Sequence, residues 1–319
     1  MKKALLISLL CLTPLILSCG KGNGSLRLLY WNIQNGMWDG QPDDYVRFTD
    51  WVKEQNPDIC VWCEAQPIYK TGTNTKLDNI DEWRADSLLT VFWQRLGKRY
   101  GHKYIFLGGH RDNYPQVITS KIPIEGVERI IGNGIDTVVS HGAGWARIKV
   151  AGESINVVTL HTWPQKYGFD VAKEDRDRSK AANEGDHYRR MEMEYICSHT
   201  VLTDTCGMWM MMGDFNSRSR KDNWVYRYEE DDTRLLVHDY ILGETPYVDI
   251  IHEDNPDNFI SSTYGRARID YVYCSPALAG HVKNCRIVTD AYTRPVRSTQ
   301  VKNFFLPSDH RPILVDFAF

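Results

Sequence analysis

Five segments end apolar runs in side chains able to hold a cation or move a proton: Trp31-Asn32, Trp62-Cys63-Glu64, Thr159-Leu160-His161-Thr162, Met212-Gly213-Asp214-Phe215-Asn216 and Arg268-Ile269-Asp270-Tyr271. A sixth, Ser308-Asp309-His310-Arg311-Pro312, precedes the final apolar run. Any one of them is an ordinary way to stop a buried strand, but six together put carboxylates, amides and imidazoles on loops, where chemistry is usually carried. Carboxylate oxygens are hard ligands that suit Mg²⁺ or Mn²⁺, and a convergent Cys/His set for zinc is missing. Cys60-Val61-Trp62-Cys63 has the C-x-x-C form, yet it lies in an apolar run. Positions three apart on a strand face opposite sides, so these thiols are expected to be buried structural cysteines. Asp214 and Asn216, two apart on a segment read as extended, are expected to face one cavity.

The elements that must position these residues follow from periodicity. Leu26 to Asn32 and Asp58 to Glu64 read as strands; Asp44 to Gln55, with Tyr45, Phe48 and Val52 at helical spacing, reads as a helix stopped by Pro57. A second helix is predicted over Asp81 to Tyr100, with Leu88, Leu89, Phe92 and Leu96 as its apolar stripe. Short strands then crowd together at Lys103 to Leu107, Val117 to Ser120, Val127 to Ile131, Trp145 to Val150 and Ile155 to His161. Hairpin-spaced strands with recurring helices predict two packed sheets with helices outside. Neither repeats nor linkers divide the chain, so residues 26–319 are expected to form one domain.

In this order and spacing the segments resemble the endonuclease/exonuclease/phosphatase superfamily, most specifically in Gly213-Asp214-Phe215-Asn216, Arg268-Ile269-Asp270-Tyr271 and Ser308-Asp309-His310-Arg311-Pro312 together with Glu64. The resemblance runs from about Leu26 to Phe319. It implies an α/β fold of deoxyribonuclease I-like type, a four-layer sandwich of two packed mixed sheets flanked by helices, with the active site at one end of the sheets. It also implies metal-dependent hydrolysis of a phosphoester by direct attack of water, without a covalent intermediate. Carried over by motif, Glu64 is the principal ligand for Mg²⁺ (or Mn²⁺), with Asn32 and Asp309 near the metal-bound phosphate or completing its shell. Asp214 orients or deprotonates the water, Asn216 holds that water or a phosphate oxygen, His310 contacts the phosphate with Asp270 fixing its tautomer and charge, and His161 is a further donor. Phosphoester hydrolysis needs an in-line water and donors around the phosphoryl oxygens, which this set supplies.

The chain departs from the commoner family pattern at Tyr114-Pro115-Gln116-Val117-Ile118-Thr119-Ser120-Lys121, where Pro115 and Lys121 replace a Gly-containing approach and an Arg. A long charged stretch between Trp163 and His187 reads as a solvated loop, or as a lid shaping the substrate site. Arg218, Arg220 and Lys221 either grip a second phosphate or solvate a turn.

At the N-terminus, Lys2 and Lys3 precede the uncharged stretch Ala4 to Leu17, interrupted by Pro14 and read as an export signal over residues 1–18. Ile16-Leu17-Ser18-Cys19 resembles a bacterial lipobox, which implies a lipid on Cys19, a tether over residues 19–25 and a membrane-anchored place in a bacterial envelope. In an exported protein, Cys197 with Cys206 and Cys274 with Cys285 are possible disulfide pairs. The net charge of −3 becomes −5 once Lys2 and Lys3 leave with the signal, which disfavours a duplex-DNA partner and favours a compact phosphoester such as a sugar, inositol or lipid headgroup phosphate. A monomer is expected. The alternatives are a nuclease acting on DNA or RNA and, from another class, a lipid-anchored glycan-binding protein without catalysis that uses Trp38, Trp163 and Trp224 for stacking.

Overall fold

Alternate residues of the central strands enter different cores. The computed structural model describes residues 24–109, 112–132 and 139–319. Residues 1–23, with the export signal and Cys19, lie outside the described residues. On the first strand, β1 (Ser25–Asn32), Leu26, Leu28 and Tyr30 face one cluster while Leu29 and Trp31 face another. The following strands are β2 (Ile59–Cys63), β3 (Tyr104–Leu107), β4 (Val117–Ser120), β5 (Ile124–Ile130), β6 (Ala143–Val150) and β7 (Glu153–His161). Beyond them come β8 (Met208–Asp214), β9 (Val248–Asp249), β10 (Asp270–Cys274), β11 (Val282–Ile287), the small pair β12 (Val296–Arg297) and β13 (Phe305–Leu306), and β14 (Ile313–Ala318).

Two mixed six-stranded sheets result, ordered β11-β14-β1-β2-β4-β3 and β5-β6-β7-β8-β10-β9. Their facing sides share one core, including Leu28, Val61 and Val315 from the first sheet and Ile148, Val157, Met212 and Val272 from the second. The outer side of the first sheet packs Trp31 and Trp62 on the helices Val46–Gln55 and Asp86–Arg99. The outer side of the second packs Val158, Met211 and Tyr273 on the helices Glu184–Ser198 and Leu236–Glu244. This is the four-layer α/β sandwich expected from the resemblance. Cys60 and Cys63 fall into different cores, on opposite faces of β2, so the C-x-x-C pair does not converge.

Some boundaries differ from expectation. The helix read as Asp44 to Gln55 begins at Val46, because Asp44 and Tyr45 take left-handed φ values of 51° and 64°. The helix read as Asp81 to Tyr100 is two pieces, a 3-10 turn at Ile80–Arg84 and a helix at Asp86–Arg99, separated by the extended Ala85. The stretch from Trp163 to His187 is not simply a loop: it contains the helix Arg176–Ala181 and the start of Glu184–Ser198. All six described cysteines are free, so neither disulfide pair forms; Cys197 is buried while Cys206 is exposed, and Cys274 and Cys285 share the inter-sheet core as thiols.

Candidate active site

Strand register assembles the site at one end of both sheets. In the parallel pair β1–β2, Asn32 lies opposite Cys63, so Glu64 follows directly beside Asn32. In the second sheet, the parallel pairing of β7 with β8 sets His161 opposite Asp214, and the antiparallel pairing of β8 with β10 sets Asp214 opposite Asp270. Gly213 permits this closeness, since a Cβ there would stand 2.2 Å from the Leu160 carbonyl. His310 enters from the loop before β14, tied by a bridge to Thr263.

Hydrogen bonds then fix each group. Asn32 is wholly buried and joins the two sheets: its Nδ2 donates to Glu64 Oε1 at 3.3 Å and to Asp214 Oδ2 at 3.1 Å, while its Oδ1 accepts the Gln34 N–H at 3.1 Å. Glu64 Oε2 accepts the Asn35 N–H at 3.1 Å, and Glu64 itself holds a left-handed φ of 53°, a conformation uncommon outside glycine. Asp214 Oδ1 accepts the Asn216 N–H at 2.9 Å, and Asp214 Oδ2 lies 3.8 Å from His161 Nε2 and 3.7 Å from His310 Nε2. His310 Nδ1 pairs with Asp270 Oδ2 at 2.7 Å, and Asp270 is further held by the hydroxyls of Tyr30 at 2.7 Å and Ser262 at 2.6 Å.

Burial and neighbouring charge set the protonation states. Burial, reinforced by Asp270, pushes Asp214 up to about 7. Burial and the nearby Asp309 raise Glu64. For His310 burial opposes the charge, but Asp270 and Asp309 outweigh it and hold the imidazolium well above its ordinary range. His161 goes the other way: burial, His141 and His310 keep it neutral.

The ligand atoms of Asp214, Asp270 and His310 lie within 4.8 Å of one another, a spacing that a metal could also use. That niche is already satisfied within the protein, since Asp270 accepts from three donors, the Tyr30 and Ser262 hydroxyls and His310 Nδ1, and Asp214 accepts from Asn32 and the Asn216 N–H. Glu64 and Asp309 fit a divalent cation better. They are hard oxygen donors on one cavity, and Glu64 is raised first by desolvation and then by Asp309, a charge that a bound cation would offset.

The cavity measures ≈ 650 Å³ and is lined by Glu64, His161, Asp214, Asn216, Asp309 and His310. Asn32 and Asp270 stand behind this wall, wholly buried. Asn216 is not extended as its spacing with Asp214 suggested: its φ is 47°, and its Nδ2 donates to the Thr162 carbonyl at 3.0 Å. Of the basic residues after it, Arg218 lines the cavity, whereas Arg220 pairs with Asp239 and Glu230, and Lys221 lies near Glu253. Lys121 is engaged elsewhere, donating to Asn56 Oδ1 at 2.7 Å. Sequence reasoning missed Tyr30, Ser262 and the cavity residues Asp112, Tyr114 and His141. His141 Nδ1 meets Asp112 Oδ2 at 2.5 Å, and its ring lies 4.4 Å from that of His161. The hydroxyls carry no signal of their own in an apolar or polar run, and Val138-Val139 before Ser140-His141 is too short a run to mark a strand end by itself.

Sandwich topology and strand-end site together define a deoxyribonuclease I-like phosphoesterase. The family model described as the Endonuclease/Exonuclease/phosphatase family matches residues 29–310, and the chain belongs to that family of divalent-metal-dependent phosphoester hydrolases. It is therefore an enzyme, and the reading as a glycan-binding protein without catalysis is set aside. No curated protein matches the chain. Among solved structures, it is similar to an AP endonuclease from Archaeoglobus fulgidus, with a TM-score of 0.60 and 20% identity over 92% of this chain and 99% of that one. A 3′ phosphatase from Neisseria bound to a product DNA hairpin gives 0.58 and 18%, over 92% and 100%. An endonuclease/exonuclease/phosphatase family protein from Bacteroides thetaiotaomicron gives 0.56 and 13%, over 92% and 98%. At these identities the likeness is one of fold.

Proposed function

We propose that the enzyme hydrolyses a compact phosphoester, a sugar, inositol or lipid headgroup phosphate, using Mg²⁺ (or Mn²⁺) and a water activated by Asp214. The observation that carries this reading is the position of Asp214 Oδ2, within 4 Å of His161 Nε2 and His310 Nε2 and hydrogen-bonded to Asn32. Glu64 and Asp309, both on the cavity, would hold the cation, which would supply Lewis-acid stabilisation of the phosphoryl group. Asp214, raised to about 7, is poised to take a proton from water near neutral pH. His310 offers a charged Nε2–H donor to the phosphoryl group, and Asp270 keeps its other nitrogen occupied. His161 serves as a neutral donor, and Asn216 lines the cavity with one amide hydrogen already used on Thr162. Asn32 contributes by aligning Glu64 with Asp214 through its amide.

Compact substrates are favoured over DNA by the net charge of −5 left after loss of Lys2 and Lys3. The test is turnover of small phosphomonoesters, small diesters and duplex DNA at low and physiological salt. A duplex substrate loses affinity with a log–log salt slope of about −0.9 per phosphate contacted. Efficient DNA cleavage with a steep slope and no turnover of small esters would replace this reading with that of a nuclease.

We further propose export and lipid attachment at Cys19, with the enzyme monomeric at a bacterial envelope membrane. Ile16-Leu17-Ser18-Cys19 and the Gly-rich residues after it support this. Cys19→Ser is expected to move the protein from the membrane to the soluble fraction; an unsubstituted protein already soluble after signal removal would contradict it.

A further inference from the structure

Trp163 is held more firmly than the hydrolytic step requires. Its N–H donates to Glu192 Oε2 at 2.8 Å, its carbonyl accepts from Arg189 Nη1 at 2.7 Å, and its indole Nε1–H donates to the Tyr167 carbonyl at 2.6 Å. Phe169 and Tyr167 meet its ring edge to face, with centroids at 5.1 and 5.8 Å. Glu192 and Arg189 project from the helix Glu184–Ser198, and both are buried, Glu192 completely.

A buried carboxylate and guanidinium are costly unless hydrogen bonds offset their desolvation. Arg189 pairs with Asp186 of its own helix, and its remaining bonds and those of Glu192 go to the cavity wall. The other oxygen of Glu192 accepts the Ser140 N–H at 2.7 Å and the Ser140 hydroxyl at 2.6 Å, which fixes the residue preceding His141. Arg189 also donates to the Gln165 carbonyl at 3.0 Å. One helix thereby locks the backbone at Ser140 and over Trp163 to Gln165.

Trp163 nevertheless remains partly exposed and lines the cavity beside Asp112, His141 and Gln165. Its N–H is already used, and its ring has Tyr167, Phe169 and His141 (centroid 6.0 Å, tilted 38°) as neighbours, so what it offers a ligand is the part of its face that these leave to the cavity. An immobilised aromatic face loses no rotamer freedom on binding, which is how preorganisation adds affinity. With carboxylate, imidazole and amide groups around it, that face suits a ring whose C–H surface packs on indole while its hydroxyls hydrogen-bond at the rim.

We propose that Trp163 is the platform for the ring of the leaving group, and that the substrate is a phosphorylated polyol ring, a sugar or an inositol. This rests on the compact-phosphoester reading and names the substrate class within it. Glu192 and Arg189 are positioning residues that act through Trp163.

The test compares kcat/KM for a hexose phosphate and an inositol phosphate with that for glycerol phosphate, which has no ring, using the whole chain with Mg²⁺. Trp163→Ala is expected to lower the ratio of ring to acyclic turnover about tenfold, mainly through KM, the size of effect seen when an aromatic stack is removed. Trp163→Phe should restore most of the ratio. Glu192→Gln should move it in the same direction as Trp163→Ala, by loosening the backbone of Trp163. A ratio unmoved in both Trp163→Ala and Glu192→Gln overturns the inference while leaving the hydrolase reading intact. If the unsubstituted enzyme cleaves DNA but turns over neither ester class, the compact-substrate reading fails and this inference falls with it.

Discussion

His310 Nδ1 lies 2.7 Å from Asp270 Oδ2, and that carboxylate is wholly buried, with Tyr30 and Ser262 holding its oxygens from either side. His310 therefore has one nitrogen left for chemistry, the Nε2 that lies 3.7 Å from Asp214. The two residues form one functional unit, so their losses should not multiply. His310→Ala and Asp270→Asn are each expected to reduce turnover by about a hundredfold, and the double variant by little more. Steady-state kinetics on the four proteins checks this; fully multiplicative losses would show that they act separately.

Glu64 is a half-buried carboxylate kept near Asp309 on the cavity, and its raised pKa means that its charge costs stability when no cation is bound. Glu64→Gln should melt at a higher temperature than the unsubstituted protein in chelator. Added Mg²⁺ should stabilise the unsubstituted protein and have much less effect on the variant. Thermal melts with and without Mg²⁺ test both signs at once, and a variant that gains as much from Mg²⁺ would remove Glu64 from the cation site.

Arg268 is 2% exposed and bridges two acidic partners, Asp222 at 2.7 Å and Asp249 at 2.7 and 3.0 Å. It stands two residues before Asp270, so it anchors the start of the strand that supplies that carboxylate. Arg268→Ala strands two buried carboxylates and is expected to destabilise the fold by about 3–5 kcal/mol in denaturant unfolding. A loss of under about 1 kcal/mol would place this triad among interactions of surface size.

His102 is 2% exposed, with Nε2 3.0 Å from the Pro57 carbonyl and Nδ1 2.9 Å from the Thr119 hydroxyl. The Pro57 carbonyl can only accept, so Nε2 carries a hydrogen, and burial pushes the pKa down to about 4, which leaves the ring neutral at neutral pH. Above the ordinary histidine pKa near 6.5 both folded and unfolded chains carry it neutral, and it has no effect on stability. Between about 6.5 and about 4 the unfolded chain binds a proton that the folded chain refuses, so stability falls as pH falls, on the order of 3 kcal/mol at the lower end. His102→Gln should flatten that part of the stability–pH curve, measured by denaturant unfolding from pH 7 to pH 4; an unchanged slope would contradict the assignment.

Much of this architecture is legible in the sequence because a strand has a period of two and the site sits where apolar runs stop. Asn32, Glu64, His161 and Asp214 each terminate or follow a strand at their expected places, and strand register brings them together. Tyr30 is invisible by the same logic. It alternates with Leu28 as a core residue, and its role exists only through Asp270 on the other sheet, 240 residues away. The break at Ala85 is hidden because one extended residue does not disturb the apolar stripe that follows it. The helices after Trp163 are hidden for another reason: the helix Arg176–Ala181 buries only Ser179, so it has no apolar stripe, and buried Arg189 and Glu192 bind the next helix to the cavity wall. Asn216 looked extended beside a strand, but Asn readily takes the left-handed turn that ends this one.

The most direct test of the account is turnover by Asp214→Asn, with Mg²⁺ present, on whichever small phosphoester the unsubstituted enzyme hydrolyses. Asparagine keeps the size and the Asn216 N–H contact but removes the base, so kcat should fall by about 10²–10⁴-fold. Inorganic phosphate should still inhibit the residual activity, because the donors around the phosphoryl group remain. An Asp214→Asn enzyme that turns over at the unsubstituted rate would contradict water activation at Asp214, and with it the proposed mechanism.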